Sequence, residues 1–197
     1  MSVSTASRPS ALQAWMLAIR PKTLPAGAMP VVIGSALAAG DGVFRPLPAL
    51  VALICALGIQ IATNFINEIY DFSKGADTAE RLGPTRTVAA GIISERTMTR
   101  VSITLGVSVF VLGLYLVAIG GWPILLIGVL SLLFAWAYTG GPFPIAYSGL
   151  GDVFVFIFFG LVAVGGTYYV QALSLPMPVL VAAAAPLLGA AVSPGRT

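Results

Sequence analysis

The sequence predicts an all-α protein, a polytopic bundle of transmembrane helices, and three observations carry that prediction. The first is composition: 58% of the 197 residues are hydrophobic, 9% are charged, and the mean hydropathy is +0.98. The second is a series of five to six apolar runs, with Gly, Pro and short polar segments between them. Several approach the ~20 residues that cross ~30 Å of hydrocarbon. The third is charge placement: Lys and Arg gather in the N-terminal segment and in residues 72–100, while the loop between the first two runs holds only Arg45. That asymmetry is expected of cytoplasmic segments. The net charge of +3 comes mainly from arginines at helix ends, so it reports topology and not affinity for nucleic acid. Absence of histidine removes imidazole from every metal or general-base proposal. The single cysteine, Cys55, lies mid-helix among apolar neighbours, cannot close an intrachain disulfide, and is expected to be inert packing.

Taken in order, residues 1–10 are polar and expected to be disordered, and residues 11–197 form one membrane domain. The first twelve residues lack the basic-then-apolar order of a signal peptide, so no cleavage is expected. Residues 11–20 predict a short amphipathic helix at the membrane interface, with Leu12, Trp15, Met16 and Ile19 on one side. Pro21 separates it from a first span over 24–39, whose Pro25 and Pro30 are tolerable where neighbouring helices re-satisfy the backbone. A second span over 48–66 runs straight into a polar stripe, and residues 72–100 read as one long hydrophilic loop. Beyond it, Gly and Pro delimit runs near 101–119, 123–137, 153–170 and 178–192, with Asp152 as the one charge between residues 101 and 194. Two spans separate the two basic segments, so the N-terminus and the 72–100 loop both face the cytoplasm, across the cell (inner) membrane.

The stripe is where chemistry concentrates. Gln60, Asn64, Asn67 and Asp71 follow at spacings of 4, 3 and 4, one face of a helix, with Glu68 beside them. Four of the seven acids (Glu68, Asp71, Asp77 and Glu80) lie within thirteen residues. A carboxylate at membrane depth costs at least ~2.5 kcal/mol on insertion scales, which makes a functional role the default. Amide and carboxylate oxygens one turn apart are hard ligands of the kind Mg²⁺ takes, with water and phosphate oxygens completing its shell. Asn67, Glu68, Asp71 and Asp77 are therefore the candidate metal ligands, with Asn67 and Asp71 the catalytic pair. The same residue types also make a solvated helix end or a path for protons or sodium. Five cations in the adjoining loop favour a multiply charged anion, and Lys22, Lys74 and Arg86 are the candidate diphosphate-binding residues. Lys22 reads equally as part of a positive-inside anchor. Tyr138 and Tyr147 flank a Gly- and Pro-rich connector that ends one helix before the next. Their rings can instead line an aromatic acceptor pocket or face an allylic cation. Asp152 reads as a helix cap as readily as a site residue.

The pattern Asn67-Glu68-x-x-Asp71, then Lys74-Gly75-x-Asp77, resembles the first aspartate-rich motif of the UbiA superfamily of intramembrane prenyltransferases. There the second position is usually Asp, and here it is Glu68. Arg20-Pro-Lys-Thr-Leu24, Gly83-Pro-Thr-Arg86 and Tyr138-Thr-Gly-Gly-Pro-Phe-Pro144 resemble the branch that prenylates 1,4-dihydroxy-2-naphthoate in menaquinone biosynthesis. The resemblance implies Mg²⁺-dependent transfer of a polyprenyl group from polyprenyl diphosphate to the naphthoate, with loss of CO₂, giving demethylmenaquinone in its reduced, quinol form. Its alternatives are a UbiA-type enzyme with another aromatic acceptor, and a non-catalytic membrane subunit or ion transporter using Asp71. The family has nine spans, with a second aspartate-rich motif on the sixth. No Asp or Glu follows Asp152 here, so the chain looks C-terminally truncated and is expected to insert in the membrane without turning over.

Overall fold

The structure, a computed structural model, describes residues 9–74, 86–140 and 156–192, except the side chains of 156 and 185–192. Among the described residues every regular element is helical, as the sequence predicts. Helix α1 spans Ala11–Ile19 and begins with a capping box, in which Ser10 Oγ accepts from the Gln13 amide (3.3 Å) and Gln13 Oε1 accepts from the Ser10 amide (2.9 Å). The packed side of α1 differs from the expectation. Ala14 and Ala18 are buried, Trp15 and Ile19 flank them, and Leu12 and Met16 stand exposed. Small residues let α1 approach α3 closely, and Trp15 meets Phe65 edge-on at 5.7 Å. The larger aliphatics are left facing outward.

Arg20 closes α1 in the left-handed region (φ 55°), and a short 3₁₀ turn, Pro21–Thr23, leads into α2, Leu24–Gly40. Pro25 falls in the first turn of α2, where its missing N–H is no loss. Pro30 sits inside the helix and is buried against its neighbours. Helix α3, Pro46–Ser73, is 28 residues long, about 42 Å at 1.5 Å per residue. That exceeds the ~30 Å hydrocarbon core, so the end of α3 bearing Asn67 and Asp71 reaches the interface. The long loop predicted from the sequence is shorter: α3 runs to Ser73 and α4, Glu95–Gly120, starts before residue 101. Arg96 and Arg100 therefore ride on the first turns of α4. Ser94 caps that helix through the Thr97 amide (3.2 Å), and Glu95 complements its dipole.

Gly121 (φ 71°) supplies the turn into α5, Trp122–Ala137. A π-helical segment, Phe156–Val162, continues into α6, Ala163–Ala172, and together they make the span expected over 153–170. The last helix, α7, is Met177–Val192. Among the described residues three stretches are long and apolar enough to cross a membrane: Ala11–Gly40, Pro46–Ser73 and Glu95–Gly120. Trp122–Ala137 and Ile157–Ala172 are shorter apolar helices.

The core runs through the middle of the bundle, where Val31, Val51, Cys55, Val109, Leu116, Ile124 and Val170 meet from five helices. Gly34 and Gly58 each stand at a close helix crossing. A Cβ on Gly34 of α2 would lie 2.6 Å from the Val164 carbonyl oxygen of α6, and one on Gly58 of α3 would lie 2.4 Å from a Val109 methyl of α4. A second cluster (Ala14, Ala18, Phe65, Val88, Ile93 and Met98) seals the end where α1 and residues 86–93 lie over α3 and α4. At the opposite end, Tyr168 Oη donates to Asp41 (2.6 Å) and the Arg45 amide donates to Gln171 Oε1 (3.1 Å), tying the α2–α3 loop to α6.

Candidate functional site

The polar stripe of α3 forms one wall of a cavity of about 480 Å³ enclosed by α2, α3, α4, α5, the π-helical segment and α6. Most of its lining is aliphatic or aromatic, including Val109, Leu116, Ile124, Phe134 and Phe158. Most of the polar residues, Arg20, Thr23, Gln60, Thr63, Asn64 and Asn67, come from the α1–α2 junction and from α3, while Ser131 and Tyr138 line the cavity from α5 and its end and Thr167 from α6. This gives a largely apolar chamber with Arg20 and most of the hydrogen-bonding groups on one side.

Long-range hydrogen bonds hold that polar wall. Asn64 Nδ2 donates to the Ile19 carbonyl (2.8 Å) and to Thr23 Oγ1 (2.9 Å), bracketing Arg20 on both sides. A left-handed backbone costs a non-glycine residue roughly 1–2 kcal/mol. The two Asn64 bonds explain how Arg20 is kept there with its side chain on the cavity wall. Asn67 Oδ1 accepts from Thr139 Oγ1 (2.6 Å), and the Thr139 carbonyl accepts from Lys74 Nζ (2.8 Å). Lys74 also lies 5.7 Å above the Tyr70 ring, whose hydroxyl accepts from Trp136 Nε1 (2.8 Å). This joint between the C-terminal ends of α3 and α5 leaves no room for a side chain at Gly140, where a Cβ would sit 2.9 Å from Tyr70.

Two carboxylates near the end of α3 have different partners. Asp71 forms a buried ion pair with Arg86. Glu68 is wholly buried, and its Oε2 accepts from the Thr87 amide (3.0 Å), the Thr87 hydroxyl (2.7 Å) and the Val88 amide (3.2 Å). Its Oε1 stands 3.5 Å from an Arg20 guanidinium nitrogen.

The structure thus brings Asn67, Asp71, Lys74, Arg86 and Tyr138 to one end of the bundle. Lys22 is exposed and absent from the cavity lining; the cation of its segment that reaches the cavity is Arg20. Glu68, expected among the metal ligands, spends its carboxylate on Thr87, Val88 and Arg20. Asp77, Tyr147 and Asp152 lie outside the described residues, as does most of the 1–10 segment. Among the described residues no three His, Cys, Asp or Glu side chains cluster to hold a metal. Sequence reasoning missed Thr87 and Thr139 as partners of the motif. Both were legible only as neighbours of singled-out residues, Arg86 and Tyr138. Cys55 is buried against the Val109 carbonyl (3.8 Å), as expected of packing.

A helical bundle with membrane-spanning lengths and a largely apolar cavity, polar along one wall, defines an intramembrane protein with room for an amphipathic ligand. The UbiA prenyltransferase family model matches residues 28–193, and the chain belongs to that family. It is 42% identical over 190 residues to the 1,4-dihydroxy-2-naphthoate octaprenyltransferase of Escherichia coli K12, covering 93% of this chain and 62% of that protein. The Bacillus subtilis protein of the same name is 35% identical, with 86% of this chain and 57% of that protein covered. Mouse UbiA prenyltransferase domain-containing protein 1 is 35% identical over 82% of this chain and 48% of its own length. The chain thus spans about 60% of the length of the bacterial relatives it matches. A solved structure bearing on digeranylgeranylglyceryl phosphate synthase in membranes shares the fold, with a TM-score of 0.65 at 20% identity, covering 87% of this chain and 57% of that one.

Proposed function

We propose that this chain acts in the transfer of a polyprenyl group from polyprenyl diphosphate to 1,4-dihydroxy-2-naphthoate, with loss of CO₂, in menaquinone biosynthesis. The observation that carries the proposal is the cavity: an apolar chamber of about 480 Å³ with Arg20, Asn64 and Asn67 on its polar wall and the Asp71–Arg86 pair close by. That division suits a substrate with a hydrocarbon tail and a diphosphate head. The names of the bacterial relatives support the choice of acceptor.

The donor chemistry fits a divalent cation in a limited way. Asn67, whose Oδ1 accepts from Thr139, and Asp71, paired with Arg86, carry two hard oxygens one turn apart on α3; Glu68 is held by three donors, and Asp77 completes the proposed set. Such a set suits Mg²⁺, which uses one or two protein carboxylates and leaves its other positions to water and phosphate oxygens. When bound, the ion neutralises the diphosphate and makes it a better leaving group.

The chain's own residues bind, orient and exclude water. Arg20 meets the anionic head from the cavity wall, and buried Arg86 and exposed Lys74 add positive charge at the same end. Lys22, exposed in the present arrangement, attracts the head from outside. As the prenyl C–O bond breaks, its electron pair leaves with the diphosphate. The allylic cation is then surrounded by Phe134, Phe158 and other apolar lining, with Tyr138 near the polar wall. The naphthoate carbon that bears the carboxylate attacks the cation, and departure of CO₂ restores the aromatic ring. This polar end and the N-terminus face the cytoplasm, a placement supported by their shared excess of Lys and Arg.

The test is made in nanodiscs. Radiolabelled farnesyl diphosphate should bind the chain in the presence of Mg²⁺, compete with inorganic pyrophosphate, and bind far less to Asp71→Ala. Any release of diphosphate should occur only when 1,4-dihydroxy-2-naphthoate is added. Prenylation of 4-hydroxybenzoate in preference to the naphthoate would overturn the acceptor. Metal-independent binding unaffected by Asp71→Ala would overturn the site.

A further inference from the structure

We infer that Glu68, although it lies within the acid-rich motif, is a positioning residue: it fastens residues 86–88 and Arg20 to the end of α3, and so fixes where the Arg20 and Arg86 guanidinium groups meet an anionic head. The inference rests on the prenyl-diphosphate reading for the identity of that anion alone; the fastening itself stands on geometry.

Three facts support it. Glu68 is fully buried and absent from the cavity lining, whereas Asn64 and Asn67 of the same helix line it. One carboxylate oxygen is filled by three donors from two consecutive residues, Thr87 and Val88, and the other faces Arg20 at 3.5 Å. Turning this carboxylate toward a metal would strand those donors at Thr87 and Val88, both buried, and a buried donor without a partner is costly. The turn that Glu68 grips is compact, with the Ala90 amide donating to the Arg86 carbonyl (3.0 Å) and the Ile92 amide to the Thr87 carbonyl (2.9 Å). Holding Thr87 therefore holds the backbone of Arg86 directly beside it.

The consequence concerns how the site opens. Asp71 must exchange Arg86 for the metal when substrate arrives. Glu68 keeps the Arg86 backbone in place through that exchange, so the released guanidinium can swing to the diphosphate without its segment leaving α3. Substituting Gln for Glu keeps an oxygen acceptor for Thr87 and Val88 but removes the negative charge, which weakens any direct hold on a divalent cation. Gln therefore separates the two roles.

The experiment uses the whole chain in nanodiscs with Cys55→Ala. Spin labels at Ser73→Cys and Ala90→Cys, both exposed positions, report by pulsed electron resonance whether the 86–93 turn stays on α3. In parallel, unlabelled protein is titrated with Mn²⁺ and inorganic pyrophosphate. Glu68→Gln should keep the narrow label distance and bind within about threefold of the parent. Glu68→Ala should broaden the distance and weaken binding by about tenfold or more, the usual cost of removing an outer partner. Asp71→Asn should abolish binding with the distance still narrow. A Glu68→Gln variant that loses binding as Asp71→Asn does, at unchanged distance, makes Glu68 a ligand and overturns the inference. So does a Glu68→Ala variant whose distance stays narrow. If the parent itself binds no Mn²⁺–pyrophosphate, the prenyl-diphosphate reading fails, and the distance measurement alone decides whether Glu68 fastens the turn.

Discussion

Gly34→Ala tests the packing that closes the cavity. At this position α2 crosses α6, and a Cβ would lie 2.6 Å from the Val164 carbonyl oxygen and 2.9 Å from the Thr167 Cβ. Contacts under 3.0 Å with backbone cannot be relieved by turning a side chain, so the helices must separate. Overpacking of this kind costs about 1–3 kcal/mol. Alanine in place of a helical glycine returns about 0.5–1 kcal/mol. The net loss lies between about 0 and 2.5 kcal/mol, centred on about 1 kcal/mol, or roughly 2–4 °C in Tm for a chain of this size, and the gap from a control that shows only the gain is the full ~1–3 kcal/mol. Gly106→Ala on α4 is the control: nothing lies within 4 Å of its Cβ, and only the gain should appear. The assay follows loss of helical circular dichroism on heating in detergent, which reports unfolding without relying on Cys55, a residue of the cavity lining. Because Val31 of α2 and Thr167 of α6 line the cavity, Gly34→Ala should also weaken binding of farnesyl diphosphate. A Gly34→Ala protein as stable as Gly106→Ala would refute the claim that this crossing is at its closest approach.

Two further outcomes are expected. Arg20→Ala should weaken pyrophosphate binding by at least ~1.4 kcal/mol, a factor of ten, because Arg20 lines the cavity, whereas exposed Lys22→Ala should change it by less than about threefold; isothermal titration with Mg²⁺ present decides, and equal losses would restore Lys22 to the site. For topology, a cysteine at exposed Ala90 should react with a membrane-impermeant maleimide in inside-out vesicles and stay unreactive in intact cells; labelling only from outside would invert the orientation.

The sequence by itself determined the helices and the end of the bundle where chemistry gathers. Hydropathy over twenty residues, Gly and Pro at the ends of runs, and a 4-3-4 polar spacing are local properties, and a membrane turns them directly into spans and a stripe. Hence residues 48–66 and 123–137 were read close to where α3 and α5 lie, and Asn67 and Asp71 were read onto the same end as Arg86. Boundaries failed where polar residues continue a helix: Arg96 and Arg100 look like loop by composition, but the cap at Ser94 carries α4 beneath them.

Only the tertiary structure decided what each polar side chain faces. Neighbouring residues on a helix point about 100° apart, so Asn67 and Glu68 look into different surroundings although the motif lists them together. Asn67 reaches the cavity and Thr139, and Glu68 reaches the turn at Thr87 and Val88. The choice of Arg20 over Lys22 has the same origin. It depends on the Asn64 bonds that fix the α1–α2 junction, a contact across 45 residues of chain that no local periodicity records. Spacing places residues on a helix face, but only the packing of α1, α3, α5 and the 86–93 turn determines what that face meets.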